Sequence, residues 1–341
     1  MARWLRHPAV WIPISASLLV AVVWRSDLWT AGDRLGRVDP VPLGLAVVVG
    51  GVVLWLWAVR SADLLAGAGR SVGVAALVPM TAFANTINNL TPGSMGELIR
   101  MYLLRAHHGV DYTTGAAVIL IERVVAVGYL TLSAALLWLA ATGTIPGPVA
   151  ALGVAALTGG PFVAYRLGLR PSRLVTDLPL GRLAGRSRWA RTGRILARID
   201  ETIAGLLGHP VRVSTFAATT AGVFAVNTAQ LVLVGRALGI TLDPVAAWGA
   251  LGLSITVGVL SLLPFGLGSS DLALVALLGA LGFEPTAAAA MAFGYRLVAT
   301  LPYAVAGIAS YAYLSARLPA GGAGGVAAAA QAVTAALDET G

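Results

Sequence analysis

The sequence predicts an all-α polytopic membrane protein, with six full spans and two re-entrant hairpins (about eight hydrophobic segments) arranged as an inverted internal repeat. Three observations carry this expectation. The chain of 341 residues is 57% hydrophobic and 11% charged, with a mean hydropathy of +0.82, which leaves too little charge to solvate a soluble domain. Uncharged stretches occupy 9–24, 41–59, 71–96, 124–165, 213–235, 244–270 and 297–316, several of them reaching the ~20 residues that a helix needs to cross a bilayer. Finally, one pattern occurs twice. Pro92 precedes Gly96 as Pro264 precedes Gly268, and Gly109 stands 14 residues before Arg123 as Gly282 stands 14 before Arg296. Duplicated helix breaks that carry charge within apolar sequence are expected of an internally repeated transporter.

The elements follow in order. Arg3 and Arg6 precede the first apolar run, which has no small-x-small cleavage site and reads as an uncleaved span with the N-terminus inside. The second span, 41–59, returns to Arg60 and Arg70 at the cytoplasmic side. The centre of 71–96 contains Asn85, Asn88, Asn89, Pro92 and Gly93, poor material for a continuous helix, and predicts a hairpin that enters and leaves on one side. A helix over 114–141 crosses out. A turn at 143–148 sends 147–165 back to a loop, 166–212, in which ten arginines face Asp177, Asp200 and Glu201. Positive charge places that loop in the cytoplasm. Within it Leu196, Ile199, Ile203 and Leu206 recur at helical spacing, which predicts either an amphipathic helix on the inner leaflet or a solvated basic loop. Anionic inner-leaflet lipid is the expected partner of this charge. The segment 213–235 goes out, a second hairpin over 244–282 opens from outside, and 286–314 returns to a flexible cytoplasmic tail, 317–341. One transmembrane domain, 1–316, with halves 1–142 and 147–316, is thus expected in the cytoplasmic membrane with both termini inside.

Charged residues at bilayer depth are the candidates for function, because each costs ~2.5–3.5 kcal/mol unless it meets a partner or a wet cavity. Glu97 and Arg100 share a face of the helix leaving the first hairpin. Glu122 and Arg123 lie near the start of the next span, and Asp271 and Arg296 hold the matching places in the second half. Arg123 and Arg296 suit an anionic headgroup, since guanidinium forks match phosphate oxygens. The same charges also fit internal salt bridges that pin hairpin to helix. Thr81, Asn85, Asn88 and Asn89 form one polar stripe, and Thr220, Asn227 and Gln230 another, which fits ordinary interhelical bonding for Asn227 and Gln230. Gly93, Gly96, Gly266 and Gly268, beside Pro92 and Pro264, would let a half-helix end approach phosphate closely. No cysteine is present, the histidines have no metal-ligand spacing, and no catalytic motif is found. Neither a cofactor, a metal, an enzymatic activity nor a nucleic-acid partner is expected.

The run from Asn88 to Arg100 through Pro92-Gly93-Ser94-Met95-Gly96-Glu97, then Glu122-Arg123, then Pro264-Phe265-Gly266-Leu267-Gly268-Ser269-Ser270-Asp271, and finally Arg296, resembles the transmembrane domain of lysylphosphatidylglycerol synthases, a flippase-like family. The resemblance covers most of 1–316. Its members often carry a basic residue within each hairpin loop, where Ser94 and Ser270 stand here, and usually a Glu at the position of Asp271. It implies a stand-alone member without the synthase domain. It also implies the handling of membrane phospholipids: translocation of an aminoacyl-phospholipid or a polyprenyl-phosphate glycolipid. Two alternatives stay open. One is a non-transporting accessory subunit that partners a lipid-modifying enzyme or glycosyltransferase; the other is a polyprenyl diphosphate phosphatase, for which Pro92-Gly93-Ser94 is a partial echo.

Overall fold

A computed structural model describes residues 38–90, 95–167, 186–261 and 266–315. The first expected span, the hairpin tips with Pro92, Gly93 and Pro264, residues 168–185 of the basic loop, and the tail lie outside the described residues. The described chain forms ten helices: α1 Pro40–Gly67, α2 Val74–Leu90, α3 Met95–His108, α4 Tyr112–Ala141, α5 Gly147–Arg166, α6 Arg186–Leu207, α7 Pro210–Ala237, α8 Pro244–Leu260, α9 Ser269–Ala280 and α10 Pro285–Ser315. Four of them, α1, α4, α7 and α10, are long and apolar enough to cross a membrane. On α1 the side chains of Val41, Leu45, Val48, Val52 and Trp55 are exposed at helical spacing, and on α10 those of Leu297, Leu301, Val305 and Ile308. Exposed apolar stripes of this extent belong against lipid rather than water.

Local chemistry starts and stops these helices where the sequence signals it. The carboxylates of Asp39, Asp111 and Asp243 accept backbone N–H groups from the first turns of α1, α4 and α8, satisfying donors that have no partner within the helix. Gly109 and Gly282, the repeated glycines, have φ of 63° and 91° and end α3 and α9, in the left-handed region that residues with a Cβ avoid.

The two halves have matching layouts. α1, α2, α3 and α4 measure 28, 17, 14 and 30 residues, and α7, α8, α9 and α10 measure 28, 17, 12 and 31. Packing crosses between them. α1 lies along α7, α2 packs on α10, and α8 packs on α4. Small residues permit these approaches. A Cβ on Gly50 would stand 2.4 Å from the Gln230 amide, one on Gly249 2.8 Å from the Trp138 backbone, and one on Gly307 against the Thr86 hydroxyl. One apolar cluster fills each half, around Leu64, Leu104 and Val118 and around Leu231, Leu278 and Met291. A third joins them through Val53, Tyr129, Phe224 and Tyr303.

Two expectations need correction. The amphipathic helix exists as α6, but Ile199 and Leu206 of its apolar stripe are buried in the first half's core, and the helix packs on α1 and α4. That face therefore meets protein, not the inner leaflet. A Cβ on Gly67 would stand 2.6 Å from Thr202 O, and Gly205 is equally tight against Gly67 O. Nor does the second span end at residue 59. It runs on to Gly67, so Arg60 lies about 10 Å inside its end and is buried, with 7% of its surface exposed.

Candidate functional site

Position within the helices brings the charged residues together. Glu97 is the third residue of α3 and Asp271 the third of α9, while Arg123 and Arg296 are each the twelfth residue of α4 and α10. At 1.5 Å per residue the arginines stand roughly 18 Å along helices of ~45 Å, at bilayer depth. Each arginine bonds the acid of its own half. Arg123 Nη2 donates to Glu97 Oε1 at 2.5 Å, and Arg296 Nε donates to Asp271 Oδ1 at 2.6 Å. Asp271 Oδ2 also accepts the backbone N–H of Gly268 at 3.0 Å, and Arg296 Nη2 donates to Ser270 Oγ at 2.7 Å. Each pair thus ties a short helix, α3 or α9, to the long helix that follows it.

The first half carries a deeper network. Arg100 Nη2 donates to Glu122 Oε2 at 2.7 Å and to Ser61 Oγ at 2.9 Å, and Ser61 in turn donates to Glu122 Oε1. Arg100 Nη1 also lies 3.7 Å from Glu97 Oε2, and Asn88 Nδ2 donates to Glu97 Oε1 at 3.2 Å. Glu97 therefore links a buried guanidinium, Arg100, to one that is 45% exposed, Arg123. With Arg60 beside Glu122, three guanidinium groups face two carboxylates here, and the cluster keeps one positive charge.

These groups line two neighbouring cavities that share part of their walls. The larger, about 850 Å³, lies between the halves and is walled by Asn85, Asn88, Asn89, Glu97 and Arg123 from one and by Gly266, Ser270, Asp271 and Arg296 from the other. Ion pairs from both halves thus reach the same space. The smaller, about 220 Å³, is lined by Arg60, Thr81, Asn85, Asn88, Glu97, Arg100, Glu122, Arg123 and Asn227. Asn85, Asn88, Glu97 and Arg123 wall both.

The other expected site residues have different duties. Gly96 is a packing residue: a Cβ there would stand 1.8 Å from Ala84 O and 2.7 Å from Asn88 Oδ1, so its bare backbone meets α2 rather than a ligand. Gly268, at φ 80°, is the N-cap of α9. Gln230 makes the interhelical bond expected of it, Nε2 donating to Ala46 O at 3.1 Å. Asn227 instead faces the small cavity. Sequence reasoning missed Arg60 as a site residue because the uncharged stretch stops there. The surviving signal was its neighbour Ser61, which begins a buried run of Ser61, Leu64 and Leu65 at helical spacing.

Fold and site define a multi-pass helical membrane protein whose interior charges are mostly ion-paired. The chain belongs to the family of the lysylphosphatidylglycerol synthase TM region, whose model matches residues 10–307. It is 25% identical over 320 residues to glycosyltransferase AglD of Haloferax volcanii, covering 83% of this chain and 50% of that protein. It is also 29% identical over 117 residues to a UPF0104 membrane protein of Methanothermobacter thermautotrophicus, covering 34% of this chain and 35% of that one. The chain thus spans half or less of the length of these relatives.

Proposed function

We propose that the protein translocates a lipid with an anionic, phosphate-bearing headgroup, an aminoacyl-phospholipid or a polyprenyl-phosphate glycolipid, across the cytoplasmic membrane. The observation that carries this reading is the 850 Å³ cavity with an acid–arginine pair from each half in its wall. Unloaded, each arginine is neutralised by its acid. A phosphate entering the cavity competes for the guanidinium forks with two oxygens at once, while acyl chains stay in lipid.

Matched helix lengths and the crosswise packing of α2 on α10 and α8 on α4 support an inverted repeat with alternating access. The arms α2, α3, α8 and α9 measure about 18–25 Å at 1.5 Å per residue, short of a ~30 Å hydrocarbon core, which supports re-entrant hairpins. Six spans, with both termini in the cytoplasm, complete this reading.

The test is transport of a fluorescent phosphatidylglycerol in proteoliposomes, read by quenching from one side. Arg123→Ala/Arg296→Ala should reduce translocation to the protein-free rate in protein that still elutes as the wild type does on size-exclusion chromatography. Wild-type rates in the double variant would refute the proposal.

A second reading, an accessory subunit of a glycosyltransferase, draws on the name of the Haloferax relative and on the arginines of α6. Replacing Arg188, Arg191 and Arg194 with glutamine should then abolish partner stimulation and leave intrinsic transport unchanged. If transport itself falls, the accessory reading fails.

A further inference from the structure

The small cavity contains a buried guanidinium that makes no hydrogen bond to a carboxylate among the described residues. Arg60 is 7% exposed, its Nε has no hydrogen-bond partner, and no bond to its guanidinium is found among the described residues. Neighbouring carboxylates direct most of their bonds to other groups. Both oxygens of Glu122 are taken by Arg100 and Ser61 and Glu97 Oε1 by Arg123 and Asn88, while Glu97 Oε2 makes no hydrogen bond among the described residues and lies 3.7 Å from Arg100 Nη1. Buried polar groups in native proteins are almost always satisfied, so an unpartnered guanidinium facing a void of about 220 Å³ needs an occupant. Water would satisfy its N–H groups but leave the extra positive charge of the cluster uncompensated.

The walls describe that occupant. Thr81 Oγ1 and Asn88 Oδ1 are also buried without partners among the described residues, and the amides of Asn85 and Asn227 face the same space. Amides and a hydroxyl around a guanidinium suit hydroxyl groups next to an anion. The volume is below the ~300 Å³ at which pockets for whole drug-sized ligands begin, which suits a headgroup rather than a whole lipid.

We propose that Arg60 is the inner anchor of a phosphate site in this cavity, which takes a phosphate ester bearing a hydroxylated group such as glycerol or a sugar. This rests on the reading that the large cavity admits a phosphate headgroup. Arg123, which with Glu97 lines both cavities, is then the outer anchor, and the phosphate passes inward from Arg123 to Arg60.

The test measures dissociation constants by titration calorimetry on the full chain in a phosphate-free maltoside detergent. The probes are inorganic phosphate and then phosphatidylglycerol doped into the micelles. Wild type should bind at least one of them. A response to inorganic phosphate makes the site reachable from water, and a response to phosphatidylglycerol alone makes it a lipid site. Arg60→Met should weaken binding by at least about tenfold, the worth of a hydrogen bond to a charged group, and should melt no lower than wild type without ligand, because an unpaired buried charge is gone. Arg60→Lys should recover part of the affinity.

Equal dissociation constants in wild type and Arg60→Met, or no binding to wild type, overturn the site. If Arg60→Met does not fold, Asn227→Leu in the lining of the same cavity replaces it, and an unchanged constant again overturns the site. Lost binding in Arg60→Met with transport at the wild-type rate would keep the site and remove it from the transport route. Full binding there, with transport lost in Arg123→Ala/Arg296→Ala, would overturn the site alone.

Discussion

Glu122 and Arg123 are neighbours in sequence, and the structure predicts opposite consequences for truncating them. The Glu122 side chain is 6% exposed and accepts bonds from Arg100 and Ser61. Glu122→Ala leaves the buried guanidinium of Arg100, and that of Arg60 beside it, without this carboxylate. Removing one partner of a buried ion pair typically costs about 3–5 kcal/mol, because the remaining charge is stranded. Arg123 is 45% exposed to the cavity. Its partner Glu97 keeps Asn88 and lies near Arg100 when Arg123 is lost, so Arg123→Ala costs about as much as a solvated pair, ~0–1 kcal/mol. At roughly 2 °C per kcal/mol for a chain of this size, intrinsic tryptophan fluorescence during heating in detergent should show Glu122→Ala lower by about 6–10 °C. Arg123→Ala should fall by no more than about 2 °C. Glu122→Gln, which keeps the bond to Ser61 and loses the charge, should fall between them. Equal losses in the two alanine variants would show that the cluster is not divided into a buried core and a cavity-facing arm.

Further outcomes follow from single contacts. Gly96→Ala places a methyl group 1.8 Å from Ala84 O, where backbone faces backbone. It should prise α3 from α2, and most of the protein should be lost as aggregate on size-exclusion chromatography. Gln230→Leu removes the bond to Ala46 O and should cost ~1 kcal/mol, read as a modest fall in melting temperature without change in transport. Acid should act through Asp111. Its partial burial pushes its pKa up, but hydrogen bonds from the Thr114 backbone and hydroxyl and the nearby Arg198 outweigh that, and its carboxyl titrates below the ordinary carboxylate range. A depressed folded pKa contributes stability that is present above the unfolded value of ~3.9 and lost as pH falls through the folded value. Asp111→Ala should therefore cost ~0.5–2 kcal/mol as a lost N-cap at neutral pH and flatten the acid limb of a stability–pH curve. An acid limb identical to the wild type's would remove Asp111 from that account.

Much of the fold was legible because membrane helices announce themselves by composition and their ends by a few residue types. Asp111 and Asp243 cap α4 and α8, and Gly109 and Gly282 close α3 and α9 at the matched spacing noted in the sequence. The acid–arginine pairs were legible too, since matched positions on matched helices imply matched neighbours. Arg60 was not, because hydropathy treats the first charge after an apolar run as its end, whereas a buried network can carry a helix past it. Amphipathicity likewise reports that α6 has an apolar face and says nothing of whether lipid or protein covers it; Gly67 and Gly205, the contact that decides it, are 138 residues apart. Nor does a local pattern predict that each hairpin's first arm leans on the other half.

That exchange of arms has a consequence for biosynthesis. α2 leans on α10 and α8 on α4, so the surface that receives α2 is the last described helix to leave the ribosome. The nascent first half must wait in the bilayer with Thr86 and its neighbours unmatched, while the second half arrives to a docking groove already built by α4. Two polypeptides severed between α5 and α6 should accordingly assemble when made together, and each should be degraded when made alone.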